Sequence, residues 1–348
     1  MLRMLAYPDK PAPGDGVAIL SPAAGLPAIF PAPYELGLSR LEKDFGLVPV
    51  EYPTTRVLGA SPAARAADVN AAFADPSIKA VLTAIGGEDQ IKVLRHLDPD
   101  VLRANPKPFF GLSDNTNLCN YLWNLGIVSY YGGAIMTAFG RGGAMHAQTE
   151  EALRAALFTH DEYELRPATG YSDVDRDWGD PETLLSEPEL FPGDGWQWHG
   201  PSHEVTGPSW GGCLEIVDWN LRVGTHIRPP ATYDGCVLFL ETSEELPDAN
   251  YVYRVVMAMG ERGLLQHFGA AVVGRPKAWS MDRRPTPERK AEYIAAQREA
   301  VLRAFTEYNP DIPLVFNVDI GHTDPQLVVP YGGTVTVAPA AGRVTVRY

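Results

Sequence analysis

Cysteine is scarce in this chain. Three occur among 348 residues, Cys119, Cys213 and Cys236, and none forms a Cys-x-x-Cys pair. That argues against a disulfide framework and against a thiolate metal cage. Positive charge is also in short supply: 29 Lys and Arg stand against 43 Asp and Glu, for a net charge of −14. With no Lys/Arg run, the field of the protein repels polyanions, and nucleic acid is set aside as a partner. No apolar stretch approaches the roughly 18 residues that a membrane span needs. The segment Met-Leu-Arg-Met-Leu-Ala-Tyr-Pro at the start lacks the apolar core of a signal peptide. A cytoplasmic protein without membrane contact is the expectation. No Gly-x-Gly-x-x-Gly follows the first strand-like run, where Ser21-Pro22-Ala23-Ala24-Gly25 stands; this argues against a dinucleotide site. His199 and His203 have no convincing companions for a metal. Neither a metal nor a cofactor is expected.

What is present is ordinary globular material, with 45% hydrophobic and 21% charged residues. Short apolar runs at 14–22, 47–52, 80–85 and 108–111 alternate with helix-like stretches at 34–45, 61–74, 90–96 and 115–125. Such alternation implies βαβ units and a parallel sheet, so residues 1–165 read as a Rossmann-like α/β domain. Residues 166–210 carry Trp178, Trp196, Trp198 and Trp210 among many Pro, Gly and Asp, and read as an interdomain connection that covers a site. A second, smaller α/β domain follows over 211–348. Strand-like runs are expected at 237–240, 270–273, 313–318 and 327–329, and helices at 249–263 and 287–308. The alternating end, Gly333 to Tyr348, reads as a hairpin.

Three residues at the ends of apolar runs carry chemistry as a set. Ser113, in Phe-Phe-Gly-Leu-Ser-Asp-Asn-Thr, stands between a strand end and a helix start. Read locally, it is either a nucleophile on a sharp turn or a helix N-cap. Asn115 occupies the position of the second glycine of Gly-x-Ser-x-Gly, so the full elbow pattern is absent. Glu241 closes Cys-Val-Leu-Phe-Leu-Glu, and His322 follows Asn-Val-Asp-Ile-Gly. A serine hydroxyl needs a base, and an imidazole base needs a carboxylate to orient it and to stabilise its cation. The chain order Ser…Glu…His suits that arrangement. Arg275 and Lys277, in Gly-Arg-Pro-Lys beyond another strand-like run, are candidates to meet a substrate carboxylate or phosphate.

The Gly-Leu-Ser-Asp-Asn-Thr segment resembles the Gly-Tyr-Ser-Asp-x-Thr motif of the LD-carboxypeptidase and microcin C immunity family of serine peptidases. Gly14-Asp15, Gly86-Gly87, Gly211-Gly212, Leu-Phe-Leu-Glu241, Gly321-His322 and Pro330-Tyr331-Gly332 follow the family's landmarks in order, across essentially the whole chain. The resemblance implies an interdomain triad with Ser113 as nucleophile, His322 as base and Glu241 as orienting carboxylate. It implies an oxyanion hole from the backbone N–H groups of Asp114 and of Gly86 or Gly87, and a homodimer. Cys213 departs from the pattern, standing where relatives commonly have Asn. The long tryptophan-rich connection favours the microcin-immunity branch, in which an aromatic stacks on the nucleotide part of the substrate; Trp178 is the candidate. The leading expectation is a serine amide hydrolase acting on a small peptide or a peptidyl-nucleotide-like molecule. The alternatives are an LD-carboxypeptidase that releases terminal D-alanine from peptidoglycan tetrapeptides, and a non-catalytic Rossmann-type binder.

Overall fold

A computed structural model describes residues 5–348. Strands β1 (Gly16–Leu20), β2 (Val48–Glu51), β3 (Ile78–Thr83), β4 (Phe109–Gly111) and β5 (Ser129–Tyr131) alternate with helices α1 (Pro31–Lys43), α2 (Pro62–Ala74), α3 (Pro99–Ala104) and α4 (Thr116–Leu125). Helix α5 (Ala147–Phe158) follows. The five strands pair in parallel in the order β5-β4-β3-β1-β2. Central runs such as Val17–Leu20 and Phe109–Gly111 are wholly buried, as strands covered on both faces must be. Local signals work well here. Ser61 caps α2 by accepting the Ala64 N–H, with Pro62 in the first turn. Gly126, at φ 89°, ends α4.

The stretch 90–96 differs from expectation, forming two short 3-10 turns, Gln90–Lys92 and Leu94–His96, in place of one helix. The physical reason is Gln90. Its fully buried side-chain amide donates to Asn115 Oδ1 at 2.7 Å and accepts from the Leu118 N–H at 3.0 Å. That drags the segment onto the end of α4.

The connection is more ordered than its composition suggests. Strand β6 (Glu162–Leu165) closes the first unit; the connection carries β7 (Gly170–Tyr171), β8 (Phe191–Pro192) and β9 (Gln197–His199), and β10 (Val205–Cys213) begins before the expected start of the second unit. Strands β7 and β8 pair with each other, while β9 and β10 find partners far away in sequence, which a turn-rich local composition does not reveal. The second unit continues with α6 (Leu214–Val223), β11 (Val237–Glu241), α7 (Ala249–Glu261), β12 (Ala270–Gly274), α8 (Pro287–Tyr308) and β13 (Leu314–Val318). Then come β14 (Val329–Tyr331), β15 (Thr334–Ala338) and β16 (Arg343–Arg347). The sheet order is β6-β16-β15-β10-β11-β12-β13-β9, parallel from β10 to β13 and antiparallel at both flanks. Strand β14 is the exception to its own unit, because it pairs antiparallel with β5 at the edge of the first sheet. Strand β6 does the reverse, pairing with β16 in the second. Each unit therefore lends the other a strand. The fold is α/β, and among the described residues no helix is long and apolar enough to cross a membrane.

Candidate active site

Strands β1, β3 and β4 of the first sheet and β11, β12 and β13 of the second end around one cleft of about 1090 Å³. Loops beyond the carboxyl ends of parallel strands are where α/β proteins place their sites. Beyond β4, Leu112 is extended and Ser113 takes φ 63°, one of three non-glycine residues with positive φ among the described residues. A non-glycine residue held there stores backbone strain, which the surroundings must enforce. The cap alternative does not describe it, since neither the helical turn at 113–115 nor α4 has a side-chain cap hydrogen bond. The Ser113 N–H donates to Tyr131 Oη at 3.0 Å, and the Tyr131 hydroxyl donates to Glu241 Oε1 at 2.5 Å. Burial first, and then the Glu241 charge, push the Tyr131 phenol well above its usual range, so it stays a protonated donor.

Glu241 ends β11 with its side chain fully removed from solvent. Its second oxygen, Oε2, accepts from His322 Nδ1 at 2.7 Å. Gly321 makes this approach possible: a Cβ there would lie 2.2 Å from Glu241 Oε2, and its φ of +87° suits glycine. Burial alone would lower the His322 pKa. The Glu241 charge and hydrogen bond, with Glu244 and Glu215 behind them, reverse that and push it up to about 9. The other ring nitrogen, Nε2, lies 3.2 Å from Glu244 Oε2, whose side chain is 58% exposed.

The segment at Gly86 is held tightly to the serine. A Cβ on Gly86 would lie 2.8 Å from Ser113 Cβ, so only glycine lets this backbone come so close. Asn115 Nδ2 ties the two loops together by donating to Leu112 O at 3.0 Å and Ile85 O at 3.1 Å. Asp114 is fully buried, and its carboxylate accepts the Gln90 N–H at 2.8 Å and Asn117 Nδ2 at 2.8 Å. Burial raises its pKa to about 6 against those hydrogen bonds.

Ser113, His322, Gly86, Gly87, Trp178 and Lys277 all line the cleft. Trp178 is half-buried and meets Phe30 edge-on at 5.8 Å. Lys277 is spent internally, donating to Asp173 O at 2.7 Å and Asp175 Oδ1 at 2.6 Å. Arg275 does not line the cleft. It is 2% exposed, pairs with Asp319 at 3.3 Å and lies 4.2 Å over the Tyr171 ring, so it fastens the connection to β12. Cys213 also lies behind the lining. Burial and the Glu215 charge push its thiol well up, and it donates to Glu215 Oε2 at 3.2 Å as a neutral S–H. Among the described residues, no group of three or more His, Cys, Asp and Glu is arranged to hold a metal ion. Sequence reasoning missed Tyr131, Gln90 and Glu244. Nothing in Ser-Tyr-Tyr-Gly-Gly marks Tyr131 as a bridge, and Glu244 was visible only as one of several acids after β11.

Residues 17–132 match the model of the LD-carboxypeptidase N-terminal domain and residues 206–337 that of the LD-carboxypeptidase C-terminal domain. The chain belongs to the LD-carboxypeptidase family. The Bacillus subtilis protein YocD, provisionally named a carboxypeptidase, is 26% identical over 97% of this chain and 97% of its own. The Escherichia coli microcin C7 self-immunity protein MccF is 24% identical over 77% of this chain and 73% of its own. Among solved structures, an MccF-like protein of Streptococcus pneumoniae in complex with AMP superposes with a TM-score of 0.83 at 25% identity, covering 96% of this chain and 99% of that one. Membership makes the chain a peptidase-type hydrolase of the carboxypeptidase and microcin-immunity group.

Proposed function

We propose that this LD-carboxypeptidase family member is a serine-type amide hydrolase that uses Ser113, His322 and Glu241 on an aminoacyl- or peptidyl-nucleotide-like substrate. The observation that carries the reading is the continuous network from the Ser113 N–H through Tyr131 and Glu241 to His322, closed over one cleft. In this mechanism the Ser113 Oγ–carbon bond forms while His322 Nε2 takes the hydroxyl proton. The backbone N–H groups of Asp114 and of Gly86 or Gly87 receive the oxyanion. The same proton passes to the leaving nitrogen as the amide C–N bond breaks, and water then releases the acyl group from Ser113. Glu241 fixes the imidazole tautomer and stabilises its cation throughout.

The substrate class rests on the shape of the cleft. A cleft of about 1090 Å³ with an apolar and aromatic wall of Leu26, Phe30, Val57, Leu58 and Trp178 suits an aromatic base better than the polar stem of a peptidoglycan tetrapeptide. The AMP in the Streptococcus pneumoniae neighbour, 25% identical to this chain, supports the same reading. A homodimer carries over from the family resemblance; light scattering in solution checks it. The deciding experiment is incubation of the wild type and Ser113→Ala with an aminoacyl sulfamoyl adenosine and, separately, with an L,D-linked muropeptide. Ser113→Ala is expected to lose hydrolysis by at least ~10⁴-fold while staying folded. Release of D-alanine alone would move the assignment to the peptidoglycan substrate. Failure of the wild type both to cleave either substrate and to be labelled at Ser113 by a fluorophosphonate would leave only a binder.

A further inference from the structure

His322 carries two carboxylates, Glu241 on Nδ1 at 2.7 Å and Glu244 on Nε2 at 3.2 Å. One imidazolium balances one of them and leaves a negative charge over. The serine mechanism needs Nε2 without its proton. In that state the lone pair of Nε2 would face the lone pairs of Glu244, with neither hydrogen bond nor opposite charge to hold them together. The resting contact and the reactive state therefore exclude one another. Glu244 has to leave Nε2 before Ser113 can be activated, and its exposed side chain is free to do so, whereas Glu241 is not.

The lining also says what draws it away. Among the described residues, none of the cleft's own cations pairs with Glu244: Arg65 and Lys92 share Asp89, Arg141 pairs with Asp324 and Lys277 with Asp175, and Arg176 is held by the Glu187 and Thr183 carbonyls and the Ser186 hydroxyl. The compensating charge is thus left to the ligand. A scissile carbonyl within reach of Ser113 lies close to Nε2, and so close to Glu244. In an aminoacyl compound the α-ammonium is bonded to the carbon next to that carbonyl, which makes it the cation nearest to hand.

We infer that Glu244 is the receptor for the free α-ammonium group of an aminoacyl substrate, and that binding this group lifts Glu244 off His322 Nε2 and frees the base. The inference rests on the triad reading above and narrows its substrate to acyl residues with an unblocked amine. N-acylated residues, including those inside a peptide, satisfy Glu244 poorly and leave the latch closed. A carboxylate–ammonium contact in a partly dehydrated cleft is a charge-assisted hydrogen bond, strong enough to replace the imidazolium one. The charged groups acting on the pair are Glu241 at the end of β11, Glu215 on α6 and Lys277 beyond β12.

Two readouts test it in the full chain. The first compares alanyl sulfamoyl adenosine with its N-acetylated form in the wild type and Glu244→Gln. The wild type is expected to favour the free amine by about tenfold or more in kcat/KM, and Glu244→Gln to bring the two near parity by raising KM for the free amine. The second is the rate at which a fluorophosphonate labels Ser113 as a function of pH. Loss of the Glu244 charge is expected to speed labelling at pH 7 and to move the midpoint of the profile down from about 9. An unchanged substrate ratio or an unchanged labelling profile in Glu244→Gln overturns the inference. A wild type that neither labels at Ser113 nor cleaves either amide overturns the triad reading instead.

Discussion

On the floor of the cleft, both Glu241 oxygens are matched and dry, held by Tyr131 and His322. On the outer wall, Val57, Leu58 and Met281 are 45%, 54% and 40% exposed. The floor is over-determined, since the strained φ of Ser113, the close approach at Gly86 and the clearance at Gly321 all enforce one geometry. The wall consists of apolar side chains on loops, available to whatever binds. Under the proposed function, the difference separates what fixes the reaction from what chooses the substrate. Glu244 sits on the boundary, bonded to the floor and exposed like the wall.

The sharpest way to break that separation is to disturb the floor. Glu241→Gln keeps the shape but loses the charge that stabilises the imidazolium, and kcat is expected to fall by ~10³–10⁴-fold with KM little changed. A fall in kcat of less than tenfold would show that the floor does not govern the chemistry. Gly321→Ala tests the geometry in place of the charge. A methyl group 2.2 Å from Glu241 Oε2, on a residue at φ +87°, is expected to cost about 2–4 kcal/mol of stability and most of the activity. Thermal unfolding and turnover measured on one preparation check both. The smallest effect belongs to the wall. Trp178→Ala is expected to raise KM for a nucleoside-bearing amide by about tenfold, with kcat and fluorophosphonate labelling unchanged. Equal losses in kcat would mean that Trp178 reaches the floor and that the two regions are not separable.

The parts legible in the sequence were those encoded locally. Buried parallel strands read as short apolar runs, and Ser61-Pro62 announced α2 as capping chemistry predicts. Ser113, Glu241 and His322 stood out because strand ends followed by polar residues mark where α/β chains concentrate sites, and the structure brings them to one cleft. What stayed hidden depends on distant partners. The segment at 90–96 looks helical until Gln90 is claimed by Asn115 and the Leu118 N–H. Arg275 and Lys277 look like free cations until Asp319 and Asp175 are placed beside them, across sequence gaps no local pattern spans. Tyr131 joins Ser113 to Glu241, 110 residues from it along the chain.

The reciprocal strands have a consequence for how such a molecule is made. The sheet that carries Ser113 has its first five strands by residue 131, yet its edge at β5 stays open until Val329–Tyr331 is synthesised. His322 precedes that last strand by only a few residues. A nascent chain that has passed Ser113, the connection and Glu241 still lacks both His322 and the strand that closes β5. Growth of the chain from its N-terminus thus sets an order of events. Completion of the Ser113, Glu241 and His322 cluster coincides with the sealing of the sheet beneath it, and a prematurely terminated product is left without either.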